Sequence, residues 1–398
     1  MTTSIRMCSL LLSAALTAQT TWVVDAGGGG HFLDVPPAIA AAQPGDRIVV
    51  QGAHTYSAFV VDRGVDVEAV AAAVVPTVEV VGVPAGERAR VAGFRVQREG
   101  GVSSVSVRAC AGAVLLVDLD EFGPAFQTTV GRPGLEIRDC GGVYVRGGTF
   151  LGQAGTSSGG AGALLDAARA VLVGGRFVGG VDVSTFPSSG NRGETGVRLQ
   201  NGSHAVLAGV EVVGGSASQG NIVGGDGGDA VGAFTGSLAI VLAGELVGTP
   251  GGWGSWLFGD DGYAARGHVR FASGCALTGR VDNAATPIRV RPGLAAPAAI
   301  AAGGTMQVQV DGAPGQLVGL AADLAFGYEP APAFDGAFVL TPTAALVAVL
   351  QLDGLGLGSW SLAVPGTVAA RHRDVFLQAV AVGPVGLVLT APTQTRTL

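Results

Sequence analysis

Lysine is missing altogether: all 23 basic residues of the 398-residue chain are arginine, a bias expected of a GC-rich coding sequence. Charge of either sign is scarce at 13%, and the net charge of −7 comes without a basic cluster. Nucleic acid and membrane surfaces are thereby excluded as partners, since both need a positive footprint. Cysteine is scarce too, at four residues without CxxC spacing, so no metal or redox motif is implied. Cys8 falls in the leader described below, and the "IRM" before it lacks the small apolar context of a lipoprotein cysteine. Cys110, Cys140 and Cys275 read as small buried hydrophobes, with a Cys110–Cys140 disulfide as the alternative. His31, His54 and His204 stand alone among turn residues, which leaves no metal-binding or nucleophilic histidine cluster. Beyond the N-terminus no run of 18 residues is free of charges, turn signals and glycine, so no membrane insertion is expected.

What the chain has is glycine, 67 residues without a three-residue period along the whole chain, and 48% hydrophobic residues. That composition fits a β-rich, turn-rich globular protein and neither collagen nor a disordered tail. Arg6, the apolar "MCSLLLSAALTA" and small residues up to Ala18 form a secretory signal peptide over 1–18. After "TWVVDAGGGGHF", Asp34 can cap a helix that tolerates Pro36 and Pro37 in its first turn. Val35, Ala38, Ile39 and Ala42 make its apolar stripe, and "QPGD" ends it near residue 43. So short a helix is marginal alone and needs an apolar surface to lie on.

An internal repeat supplies that surface. The segments beginning at 135, 163, 197 and 231 each hold three short strands separated by polar or glycine turns. Anchors at Val145, Val173, Leu207 and Val241 have apolar partners upstream at Leu135, Leu164, Val197 and Val231. Downstream the partners are Phe150, Phe177, Val212 and Leu246, and a weaker unit follows at 268–281. Units of this size bury their apolar faces only by stacking, which three short strands per unit do best as a parallel β-helix. The opening helix would then cover the first coil. Near residue 291 a Pro, Ala and Gly stretch marks a boundary, and six or seven strands with "DG" turns after it predict a β-sandwich over 291–398.

Asp25, Gly27 to Gly30, Ala38, Ile39, Gly45, Asp46, Val50, Gly52 and Tyr56 together resemble the entry motif of secreted right-handed β-helix proteins of the pectin-lyase-like superfamily, planctomycete-type members above all. The resemblance implies an all-β fold: a right-handed parallel β-helix over 19–290, its capping helix at about 34–43, then the small β-sandwich. It does not fix a function, because the superfamily hosts lyases, hydrolases, esterases, adhesins and scaffolds. Its pectate-type lyases hold Ca²⁺ with clustered aspartates and use a basic residue on the substrate proton, and its hydrolases use closely placed aspartates. Neither pattern is matched here.

The candidate site is the set of long loops at 183–196, 216–230 and 249–267, one per repeat, which stacking would gather into a wall. Its side chains are Arg192, Glu194, Asp226, Asp229, Trp253 and Trp256. Asp260, Asp261, Tyr263 and Arg266 complete it. Tryptophans offer flat faces to sugar rings, and paired carboxylates suit hydroxyls or acid–base work. No cofactor is implied; Ca²⁺ would suit the carboxylates, but no ligand spacing calls for it. Asp118 and Asp120 could share one strand face, though a solvated coil face is the favoured reading of them, and Trp360 reads as core of the C-terminal module. The expectation is a secreted or cell-surface monomer serving in extracellular interaction without catalysis, with extracellular polysaccharide or a cell-surface glycan as the partner its loop wall would suit and a spacer or adhesin scaffold as a further reading. The competing expectation is a polysaccharide lyase or glycoside hydrolase that uses the loop carboxylates.

Overall fold

The structure is a computed structural model describing residues 5–6, 19–98, 101–123, 127–181, 183, 190–219, 223–255, 257–272, 274–288, 293–324, 326–331, 336–340, 344–366, 373–383, 386–390 and 392–398. The expected leader at 1–18 lies outside these residues apart from Ile5–Arg6, which pairs in parallel with Leu362–Ala363. Chain contacts divide the protein into Gln19–Pro287 and a unit containing Ile288–Leu398.

Gln19–Pro287 is built on two long parallel sheets, one of nine strands from Phe59–Val61 to Arg280–Val281 and one of seventeen that begins at Thr21–Asp25. From residue 78 on, each repeat gives one strand to the first sheet and then one or two to the second, as in Val105–Arg108, Ala113–Val117 and Asp120–Phe122. Parallel pairing places equivalent residues in columns. Val78, Val105, Leu135, Ala163, Val197 and Val231 form one. Val91, Leu116, Val145, Leu172, Leu207 and Val241 form a second, and Phe150, Phe177, Val212 and Leu246 a third. All are buried in a single core, and each large aliphatic side chain there contributes about 1.5–3 kcal/mol by leaving water.

The expected anchors match these columns except in one repeat. Ala163 and Leu172 point inward, not Leu164 and Val173, which pair with Glu136 and Arg146 on the opposite face. In "ALLDAARAVLV" both faces of the strands are apolar, so alternation alone cannot choose between registers one residue apart. Two further expectations need correction. Asp118 takes a left-handed φ of 50° in the turn that ends Ala113–Val117, so it shares no strand face with Asp120. His204 opens a strand, not a turn, and its pKa is lowered by burial and by Arg169.

Turns between the sheets repeat as faithfully as the strands. Gly82, Ala109, Asp139, Ala167 and Asn201 each follow a strand of the nine-stranded sheet, all at positive φ. The first four hand their amides to the next repeat, as Ala109 N does to Arg138 O and Asp139 N to Asp166 O, both 3.0 Å, and at the fifth turn Gly202 N does so to Thr235 O. Cys110 and Cys140 follow two of these turns as buried free thiols. A shared hydrogen bond holds the Cys110 thiol down at about 7 and drives the Cys140 thiol up.

The helix runs Val35–Ala41 with Asp34 as its cap, and Val35, Ala38, Ile39 and Ala42 join the same core as the first strands. Its surroundings explain the entry motif in physical terms. Buried Asp46 accepts from Thr20 N and Gln43 N, both at 2.9 Å, and from Trp22 Nε1 at 3.3 Å, tying the first strand to the helix exit. Asp25 accepts from Gly27 N and Gly29 N, and Tyr56 Oη donates to Gln51 O. A Cβ on Gly30 would stand 2.7 Å from Val23 O.

In the C-terminal unit, Thr305–Asp311 pairs antiparallel with Gly293–Ala295 and Leu357–Ala363. Leu317–Asp323 pairs antiparallel with Ala345–Gln351 and Asp374–Gly383 in a second sheet. Alternate residues Met306, Val308 and Val310 meet Leu320, Leu377 and Ala379 in one core, and Trp360 is part of it.

Glu121 is buried in the seventeen-stranded sheet. Loss of water pushes its carboxyl from 4.5 to about 7, against the opposing pull of the Leu151 amide and Arg98. The neutral form therefore stabilises the fold fully below the unfolded value of 4.5, and that contribution is lost as pH rises through about 7. Glu121→Gln should raise unfolding stability by about 3 kcal/mol near pH 8 and leave it unchanged near pH 4, measured by urea unfolding at both.

Candidate functional site

The long loops are not loose. Chain leaving the second sheet runs through 152–155, 179–181, 214–218 and 248–252, and chain returning to the first runs through 131–134, 159–162, 190–196, 223–230 and 257–262. Within them glycine recurs every third residue: Gly190, Gly193 and Gly196, then Gly224 with Gly227, Gly248 with Gly251, and Gly259 with Gly262. Three residues per turn is the period of an extended polyproline-II-type chain.

The reason for glycine is space. None of these residues has a left-handed φ. Instead a Cβ on Gly193 would lie 1.8 Å from Gly215 O, one on Gly215 1.9 Å from Gly180 O, and one on Gly262 2.0 Å from Gly228 O. Backbone rests on backbone with no side chain between. Hydrogen bonds cross this contact in an unbroken zigzag between the outgoing and returning layers. Gly180 N donates to Gly160 O, Glu194 N to Gly180 O, Gly215 N to Glu194 O, Gly228 N to Gly215 O, Thr249 N to Gly228 O and Gly262 N to Thr249 O, all within 2.6–3.0 Å. Thr249 Oγ1 adds a branch, donating to Gly215 O at 2.6 Å.

Two depressions open on this wall. The first, about 230 Å³, is lined by Arg192, Glu194, Arg198, Asp229, Phe234 and Arg266. Asp229 is buried; it accepts from Arg266 at 3.1 Å and from Tyr263 N at 2.9 Å. The second, about 520 Å³, is lined by Trp253, Phe258, Asp260, Asp261 and Arg280. Trp253 and Phe258 are 68% and 69% exposed, and their rings meet edge to face at 5.4 Å. Arg280 lies 3.6 Å from Asp260 and covers the Tyr263 ring at 4.6 Å.

The expected site residues thus fall into two groups on one wall. Arg192, Glu194, Asp229 and Arg266 surround the smaller depression, while Trp253, Asp260 and Asp261 surround the larger. Asp226 spends one oxygen on Asp260 N at 3.0 Å, and Tyr263 stands between Arg266 and Arg280. Trp256 lies outside the described residues. Arg198, Phe234, Phe258 and Arg280 were not anticipated. Arg198 was within reach, since it directly follows an inward column residue, Val197. No group of three or more His, Cys, Asp or Glu is placed to hold a metal among the described residues, and no helix among them is long and apolar enough to cross a membrane.

No known protein family matches the sequence, and no curated protein does. The superoxide reductase (neelaredoxin) from Ignicoccus hospitalis aligns at 14% identity over 27% of this chain and 80% of its own, with a TM-score of 0.19, a likeness that carries no argument.

The lattice makes a sharp demand on composition. Gly193→Ala should cost at least about 3 kcal/mol by urea unfolding, because the carbonyl it meets belongs to packed backbone. Gly141→Ala, where a Cβ meets nothing within 4 Å, should stay within about 0.5 kcal/mol of the parent.

Proposed function

We propose that Gln19–Pro287 is a right-handed parallel β-helix capped by Val35–Ala41, that a β-sandwich follows it, and that the protein is exported to bind an extracellular polysaccharide on the glycine wall. The parallel columns and the helix stripe joined to their first strands support the architecture. The exposed Trp253–Phe258 pair carries the functional reading. Two large aromatic rings left in water on a rigid backbone are a cost to a protein with no ligand for them. Beside them Asp260, Asp261 and Arg280 bring carboxylate acceptors and guanidinium donors to one depression. Aromatic faces take the C–H faces of a sugar ring while polar groups at the rim take its hydroxyls.

The competing hydrolase or lyase reading needs carboxylates free to move protons. Asp226, Asp229 and Asp261 instead accept backbone amides of Asp260, Tyr263 and Gly251 at 2.9–3.0 Å, which is work inside the scaffold. Binding therefore fits better than turnover.

On a glycan array, the protein should retain at least one polysaccharide without releasing reducing ends or unsaturated products. Trp253→Ala should weaken that binding about tenfold or more, as the loss of a central aromatic does at other interfaces. Retention of no glycan at all would end the reading.

A further inference from the structure

We propose that the smaller depression is an oxyanion site that takes one acidic group, a carboxylate or a sulfate ester carried on a small sugar, gripped by Arg198 and Arg266. The inference is independent of the Trp253 shelf. On the outer face of the nine-stranded sheet, Arg198, Gly232 and Arg266 occupy one register column in three successive strands. The two arginines are thus two strands apart, roughly 10 Å by strand spacing, and form the sides of a notch in which the Phe234 ring takes the place of a side chain on the glycine between them. Phe234 walls that notch: a Cβ on Gly232 would stand 2.6 Å from its ring.

Arg266 is held in place. Asp229 fixes its guanidinium at 3.1 Å, and the group lies over the Phe234 ring at 5.8 Å and the Tyr263 ring at 5.2 Å. Arg198 and Arg192 are exposed and have no ion-pair partner among the described residues. Glu194 shares the rim, and the Asp229 charge is already committed to Arg266 and the Tyr263 amide. Beside the anchored Arg266 the notch therefore presents the guanidinium forks of Arg198 and Arg192, which have no carboxylate partner among the described residues, the geometry that matches a carboxylate or sulfate. At about 230 Å³ it admits one small unit rather than a length of chain.

Isothermal calorimetry with glucuronate, glucose 6-sulfate and glucose tests this on the whole protein. At least one acidic sugar should bind, glucose should not, and the better acid identifies the carboxylate or the sulfate as the group recognised. Arg198→Ala should weaken that binding about tenfold or more, Arg198→Lys should restore part of it, and Arg176→Ala, at an exposed arginine of the seventeen-stranded sheet, should leave it unchanged. Absence of binding by either acid, equal binding of glucose, or undiminished binding by Arg198→Ala would overturn the proposal. Loss of polysaccharide binding at Trp253 would not affect it.

Discussion

Direct contact of main chain with main chain is the constraint on which the rest depends. In the strands it is the ordinary ladder of parallel sheets, with side chains sorted into columns on either face. In the wall it is tighter, because carbonyls stand where Cβ atoms would be. There the peptide groups serve as both packing surface and hydrogen-bonding partner, so the segments stay ordered without a hydrophobic interior of their own. Arg192, Glu194, Trp253 and Asp260 project from the wall and, with Arg198, Phe234, Arg266 and Arg280 from the nine-stranded sheet and its turns, line the two depressions.

Much of this architecture was legible because parallel stacking repeats its signals. An inward position returns once per repeat, and spacing within a unit is conserved while the connecting segments vary. The helix was readable from Asp34, the paired prolines and the stripe ending at Ala42. Register failed only where Ala163, Leu164, Leu172 and Val173 offered apolar side chains to both faces. Asp118 was misread because a left-handed turn residue looks in sequence like one more member of an alternating strand.

The wall was half legible. Its location followed from loop lengths, and most of the side chains around its depressions were readable from the loop sequences. Its physical nature was hidden, because a period of three in glycine is diluted by the strands on either side and is visible only within short stretches such as 190–196. The division into two depressions was hidden for another reason. Which side chains share a hollow depends on cross-strand register, so Arg198 joins Arg266 across 68 residues of sequence while Glu194 and Asp260 part company.

A stretch such as 190–196, in which glycine stands at every third residue against neighbouring backbone, also limits how such a surface can change length. Removing or adding one residue would turn a bulky side chain into the carbonyl-lined interior and throw every later position out of phase. Growth or shortening of such a stretch is accordingly accommodated in triplets, which keep glycine against the neighbouring backbone.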